Sequence, residues 1–429
     1  MGWGTHRRGL ILVGAVMGVV WISGARASDF LSRWQARAHV HTSISLDYFS
    51  SDQTLDNKSG FVGATGRFSA HPRLGHRLRG YVSGWLTDPG LNRTEGADTL
   101  IRQAYITRNW RDNQLRVGKQ IVAWGQGDGV NPTDNLTPRN YTVLQPSTAD
   151  QRFGTSAVLW NHFIGRHTTL TTFVSPFFKP SIIAIPTIPG IVFQNRIPAF
   201  RARHTEAALK WGYASGAGDW SVSYFHGFDL LPNLALQSMV PPVVSLNYNR
   251  LDVLGSDFTR PVGSRYLVWG EAAYFRPLNV SYALPQTQKP NLFAVVGASR
   301  QLTGTASFSL QVVDRIVQDY VAPQSAPAGS DQEIAIQNAL INGELHRNNV
   351  GTTAQITDSW WHQTLQGKLF AYVNVRPLDS LIRLTLTYAA TDHIVLTMGG
   401  EDYLGPRESY FGQLAANRTV FVQGRYNVF

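Results

Sequence analysis

The sequence has 429 residues and a formal charge of +10, yet only 15% of it is charged, against the roughly 25% usual in soluble domains. The absence of cysteine excludes a disulfide framework and any thiolate nucleophile or metal ligand, so no cofactor is expected from that chemistry. Lysine and arginine are dispersed along the chain rather than clustered, which excludes a nucleic-acid interface.

The chain opens on its single long apolar run. Residues 1–27 read as a secretory signal peptide, with His6, Arg7 and Arg8 as the basic region and Leu10 to Ile22 as the apolar core. Ala25-Arg26-Ala27 fits the cleavage pattern, leaving one β-barrel domain over 28–429. From Trp34 to Tyr48 the even positions are Trp, Ala, Ala, Val, Thr, Ile, Leu and Tyr, while the odd ones are Gln, Arg, His, His, Ser, Ser and Asp. This is period-2 alternation, with one apolar and one wet face. A strand of that length and tilt spans roughly 35 Å and so crosses a membrane. His39 and His41 fall on the same wet face, too few to hold zinc.

The pattern recurs, predicting strands at 34–48, 59–70, 76–87, 98–109, 113–123, 153–163, 167–175, 203–213 and 219–228. It continues at 251–260, 264–275, 291–300, 304–315, 349–360, 364–374, 380–390, 393–403 and 418–429. Short polar turns alternate with longer loops, the asymmetry of an outer-membrane barrel. The expected fold is therefore an all-β, transmembrane antiparallel barrel of about 18 strands. The short connection at 375–379 leaves 16 as an alternative.

The loop 124–152 is dense in turn chemistry, with Gly125, Gly127, Gly129, Asn131-Pro132 and Thr137-Pro138. It is expected to fold into the barrel mouth. Its oxygen-rich stretch at Asp128, Asn131, Asp134 and Asn135 matches no EF-hand spacing, and the glycines lack the ending of a nucleotide loop. The proline-rich apolar segment 176–200 is expected to fold against the barrel or a neighbouring subunit, and 332–345 to form a short helix. The last strand ends on an aromatic, Phe429, after Gln423-Gly424. That ending resembles the signal read by the barrel-assembly machinery.

The run LRVGKQIVAWGQGDGVNPTDNLTPRNY resembles an uncharacterised family of Gram-negative outer-membrane proteins, of the domain-of-unknown-function type, built as porin-like barrels. So do SYFHGFDLLP at 223–232, VLGSDF at 253–258 and WGEAAYF at 269–275. More loosely, the chain is similar to alginate-export and general porin barrels. The resemblance implies location in the cell outer membrane, among lipid and lipopolysaccharide, and names no cargo.

By strand phase, Arg37, Arg102, Arg116, Lys210, Arg265, Lys368, Arg383 and Arg425 point inward, with Glu271 among the few acids. Asp128, Asp134, Arg139 and Arg152 come from the loop and complete the candidate pore lining. Such charge either concentrates anions or simply solvates a wet lumen, with Arg265 and Glu271 as a neutral pair. The phase of Lys119 points to lipid unless Gly118 makes a bulge or a subunit covers that face. No Ser–His spacing selects a hydrolase, so no enzyme is expected. The sequence points to passive diffusion of small hydrophilic solutes, with a preference for anionic ones left open between the two readings of the lumen charge. Export of an acidic polysaccharide and a non-conducting scaffold or enzyme remain alternatives, and oligomers are compatible with each.

Overall fold

The computed structural model describes residues 38–55, 59–88, 90–92, 100–127, 129–185 and 188–428. Arg37, Asp128, Phe429 and the whole of 1–27 therefore lie outside the described residues. The chain begins with β1 (His41–Phe49), β2 (Phe61–Ala70), β3 (Leu78–Thr87), β4 (Ile101–Trp110) and β5 (Asn113–Gln120). After a long loop come β6 (Thr155–Ile164), β7 (Thr168–Ser175), the short β8 (Val192–Arg196), β9 (Glu206–Ser215) and β10 (Gly218–Phe228). A ribbon of β11 (Asn233–Met239) and β12 (Pro242–Asn247) precedes β13 (Arg250–Val262), β14 (Tyr266–Leu278), β15 (Asn291–Gln301) and β16 (Ser307–Val317). Helix α1 (Ser330–Asn342) leads to β17 (Asn348–Trp360), β18 (Leu365–Val375), β19 (Leu378–Ala389), β20 (Ile394–Leu404) and β21 (Thr419–Asn427).

Eighteen of these strands form one antiparallel sheet, and it closes because β1 pairs with both β2 and β21. The count is eighteen rather than sixteen. Only Arg376 and Pro377 separate β18 from β19, yet the two pair over their full length from Val375↔Leu378 to Leu365↔Tyr388. Closure leaves no unpaired edge, which is how a sheet satisfies its backbone polar groups in an apolar medium.

Side chains alternate across the wall. On β13, Leu254 and Phe258 point out and are exposed, while Leu251, Val253 and Asp257 point in and are buried. The same outward exposure holds for Leu46, Val117, Val222, Val296, Leu310, Leu384 and Val422. Alternation of this kind fixes the register, because a one-residue slip would exchange the two faces.

Two expectations about β1 are corrected. Among the described residues the strand starts at His41, while 34–37 lie outside them, and His39 lies before the strand at φ 43°, so His39 and His41 share no strand face. The alternating pattern outruns the pairing: β21 reaches only Ser43↔Asn427 and β2 only His41↔Ser69.

Long connections gather at one end of the barrel and short turns, with the start of β1 and the end of β21, at the other. At the long-loop end β8, β11 and β12 form a second, three-stranded sheet that the alternation did not reveal. The 176–200 segment folds into this layer: Phe178 packs on Phe228 and Tyr248 at 5.1 and 5.2 Å between ring centres. Helix α1 lies close to its expected place and ends at Gly343, whose φ of 67° suits a left-handed cap. Asn338 of α1 bonds both the N–H and the carbonyl of Leu234 on β11, tying helix to ribbon.

Candidate functional site

The loop between β5 and β6 leaves the wall and crosses the interior. Thr137 Oγ1 accepts the Val122 N–H and donates to the Val122 carbonyl, pinching the base of the loop. The glycine-rich stretch then reaches β14, where Glu271 accepts the N–H groups of Gln126, Gly127 and Thr133 and the Thr133 hydroxyl at 2.6–3.1 Å. Gly125 stands at φ +100°, and a Cβ there would lie 2.7 Å from a Glu271 oxygen. Gly129, at φ +85°, passes so near β18 that a Cβ would meet the Phe370 ring at 2.8 Å. Glycine is required at both positions by backbone angle and by room. The return limb is held by Arg67 of β2, which bonds the Gln145 side chain, and by Leu144 N–H on the Leu91 carbonyl.

Arg102 anchors the foot of that limb. A register shift between β3 and β4 pairs Ser83 with Gln103 and Gly84 with Ile101, leaving Arg102 as the extra residue. The bulge re-aims its guanidinium. It stacks 4.0 Å from the Trp85 ring centre and bonds the Asp150 carboxylate at 3.3 Å and the Arg152 carbonyl.

Between this inserted loop and the wall formed by β16 to β21 lies a cavity of about 1000 Å³. From the loop, Asp134, Arg139 and Arg152 face it, and one carboxylate serves both arginines, with Arg139 Nη2 at 2.9 Å. From the wall come Arg315, Lys368, Arg376, Arg383 and Arg425. Arg383 pairs with Glu401 at 2.7 Å, and Arg425 bonds Gln423 at 2.8 Å. Lys368 has no ion-pair partner among the described residues. Among the described residues, seven arginine or lysine residues line the cavity against four aspartates. Of the four, Asp134 is spent on two guanidiniums, and burial pushes Asp229, in the loop after β10, above the usual carboxylate range.

The remaining expected lining residues fall elsewhere. Arg265 sits exposed in the turn between β13 and β14 and does not pair with Glu271. The strand expected from residue 264 starts at Tyr266, which leaves Arg265 in the turn. Glu271 is 3% exposed and holds the loop rather than lining the cavity. Lys210 pairs with Asp257 at 3.1 Å, and Arg116 stacks over Tyr105 at 4.6 Å. Lys119 points outward and folds back onto the Ile101 carbonyl, beside Gly118 at φ +132°. Asp134 is engaged by the two arginines, and Asn135 donates to the Pro132 carbonyl. No group of three metal-ligating acids or histidines occurs among the described residues. Arg67 and Arg315 were missed, though strand parity marks both: each lies on the inner phase of its strand, opposite Val62 and Ala64 or Leu310 and Val312.

Fold and loop together define the class: an 18-stranded, porin-like β-barrel constricted by an inserted loop. Among solved structures the chain is similar to OccK11 (OpdR) of Pseudomonas aeruginosa, at TM-score 0.51 and 10% identity over 91% of this chain and 97% of that one. It is likewise similar to OccAB4 of Acinetobacter baumannii, at TM-score 0.51 and 8% identity over 90% and 97%. No family model matches the sequence, and no curated protein does. At such identities the likeness is one of fold.

Proposed function

We propose that the chain is an outer-membrane channel through which small hydrophilic solutes diffuse passively, with a preference for anions. The observation that carries this reading is the unbalanced cavity wall, above all Lys368 and Arg425, which face the lumen with no carboxylate on them. Fixed charge of one sign in a narrow, low-dielectric passage concentrates counter-ions and raises the barrier to co-ions. The exposed apolar belt on the outer wall supports residence in a membrane, and the porin-like fold supports the outer one. Export led by residues 1–27 and assembly through the strand ending at Phe429 complete the proposal, as does kinship with the uncharacterised family whose motifs the chain carries.

Reversal potential in a salt gradient across a planar bilayer tests it. The natural protein should conduct with an anion-side potential, and Lys368→Glu with Arg425→Glu should move that potential toward cations. Absence of conduction would sink the channel reading. Conduction with an unmoved potential in the double variant would sink the anion preference alone.

A further inference from the structure

We propose that the outer wall carries a binding site for the phosphates of a phosphorylated glycolipid, at the long-loop end of β9, β10, β13 and β14. The inference goes beyond conduction and rests on residence in the outer membrane. On β10, β13 and β14 the outward positions run from apolar to charged toward the long loops. Val222, Tyr224 and Leu254 are exposed on the outer face, and one step beyond Tyr224 and Leu254 the residues His226, Asp252 and Arg276 stand side by side in register. Arg250 sits just above. Its guanidinium donates to the carbonyls of Arg203 and Thr205 at 2.7 and 3.2 Å and to His226 Nε2 at 3.0 Å. That fixes the backbone of the strap bearing Arg201 and Arg203, whose own side chains are exposed.

The charges do not balance. Asp252 is the carboxylate among these groups, and it is already occupied by His226 Nδ1 at 2.6 Å and the Tyr224 hydroxyl at 2.7 Å. Arg276 faces it across the strand pair without an ion pair, and Arg201 and Arg203 have none among the described residues. Guanidiniums suit planar, bidentate recognition of phosphate. Their place directly above outward-facing hydrocarbon favours a ligand with phosphates and acyl chains in one molecule over a free phosphate ion. Arg300, over the Tyr266 ring at the opposite end of the wall, is a cation without this setting.

Binding of bis-phosphorylated lipid A, of its dephosphorylated form and of inorganic phosphate to the detergent-purified full chain tests the site. Arg201→Gln/Arg203→Gln/Arg276→Gln should weaken lipid A binding at least about tenfold, while Arg300→Gln changes nothing. Heat-modifiability confirms that both variants fold. Equal affinity in the triple variant, equal binding of the dephosphorylated lipid, or equal loss in Arg300→Gln would overturn the proposal. Displacement by millimolar inorganic phosphate would reassign the site to the free ion. Dissociation of an oligomer in the triple variant would mark the rim as a contact between copies and overturn it too. Conductance is measured separately, so a silent barrel that still binds lipid A fails as a channel and leaves this site standing.

Discussion

At the scale of single residues, Glu271 shows how a carboxylate on an inward strand position can be structural. Its two oxygens accept from three backbone N–H groups and one hydroxyl of a segment 138 to 145 residues away in sequence. Glu271→Gln keeps the shape but turns one oxygen into a donor that faces a donor. A hydrogen bond to a charged acceptor contributes about 1.5–3 kcal/mol, so the loop should lose hold by an amount of that order. The expected outcome is a lower urea midpoint and noisier open-channel current. Arg265→Gln should change neither, because the exposed turn does not reach Glu271. A matching effect of the two variants would restore the neutral pair that strand phase suggested.

At the scale of elements, the strands were legible because two unlike faces impose a period of two, broken where a bulge re-aims Arg102 and where Lys119 faces out. The loop's entry into the mouth was legible in part, through Gly125, Gly129 and the two Asn-Pro and Thr-Pro corners. Its contacts were not: nothing near Gly129 announces Phe370 of β18, since chain separation hides such pairs. The ribbon β11–β12 and its tie to α1 stayed hidden for the same reason, resting on Asn338 and Leu234, 104 residues apart. The loop layer also contains a group whose titration should loosen it. Glu344, just past α1, accepts the Lys289 N–H and the Asn291 amide, and burial pushes its carboxyl up to about 8 from 4.5. Lys289 and Arg315 pull the other way, and Asp229 adds to the rise. A raised acid is protonated in the folded loop while ionised in the released one, so folding is favoured fully below about 4.5 and progressively less as pH climbs through about 8. Limited proteolysis within residues 318–347 should therefore accelerate between pH 5 and pH 9, measured against an unstructured reference peptide. Glu344→Gln should flatten that dependence. A flat profile in the natural protein would show that Glu344 does not govern the layer.

At the scale of the whole molecule, one wall must satisfy two solvents at once. Facing the cavity it carries arginine, lysine and threonine, beneath the inserted loop an apolar cluster with Leu159, Phe173, Phe225 and Val253, and on its outer face leucine, valine and rings. Aromatic side chains collect toward the short-turn end, where Trp211 packs edge-on against Trp220 and Trp361 against Tyr388. Neighbouring residues of one strand should therefore respond oppositely to the same substitution. Leu384 lies near the middle of β19 and is 45% exposed on the outer face, whereas Thr385 lines the cavity. Arginine at Leu384 would face hydrocarbon at a cost of about 2–4 kcal/mol if that point lies near mid-membrane. Arginine at Thr385 would face water and stay within about 0.5 kcal/mol of the natural protein. Urea unfolding in lipid vesicles separates them: Leu384→Arg should unfold at clearly lower denaturant, and Thr385→Arg should not. The second variant carries its own electrical signature, because the added cation should push the reversal potential further to the anion side. Equal destabilisation by the two would mean that the alternating faces do not meet lipid and water, and the membrane-spanning reading of the barrel would fall with them.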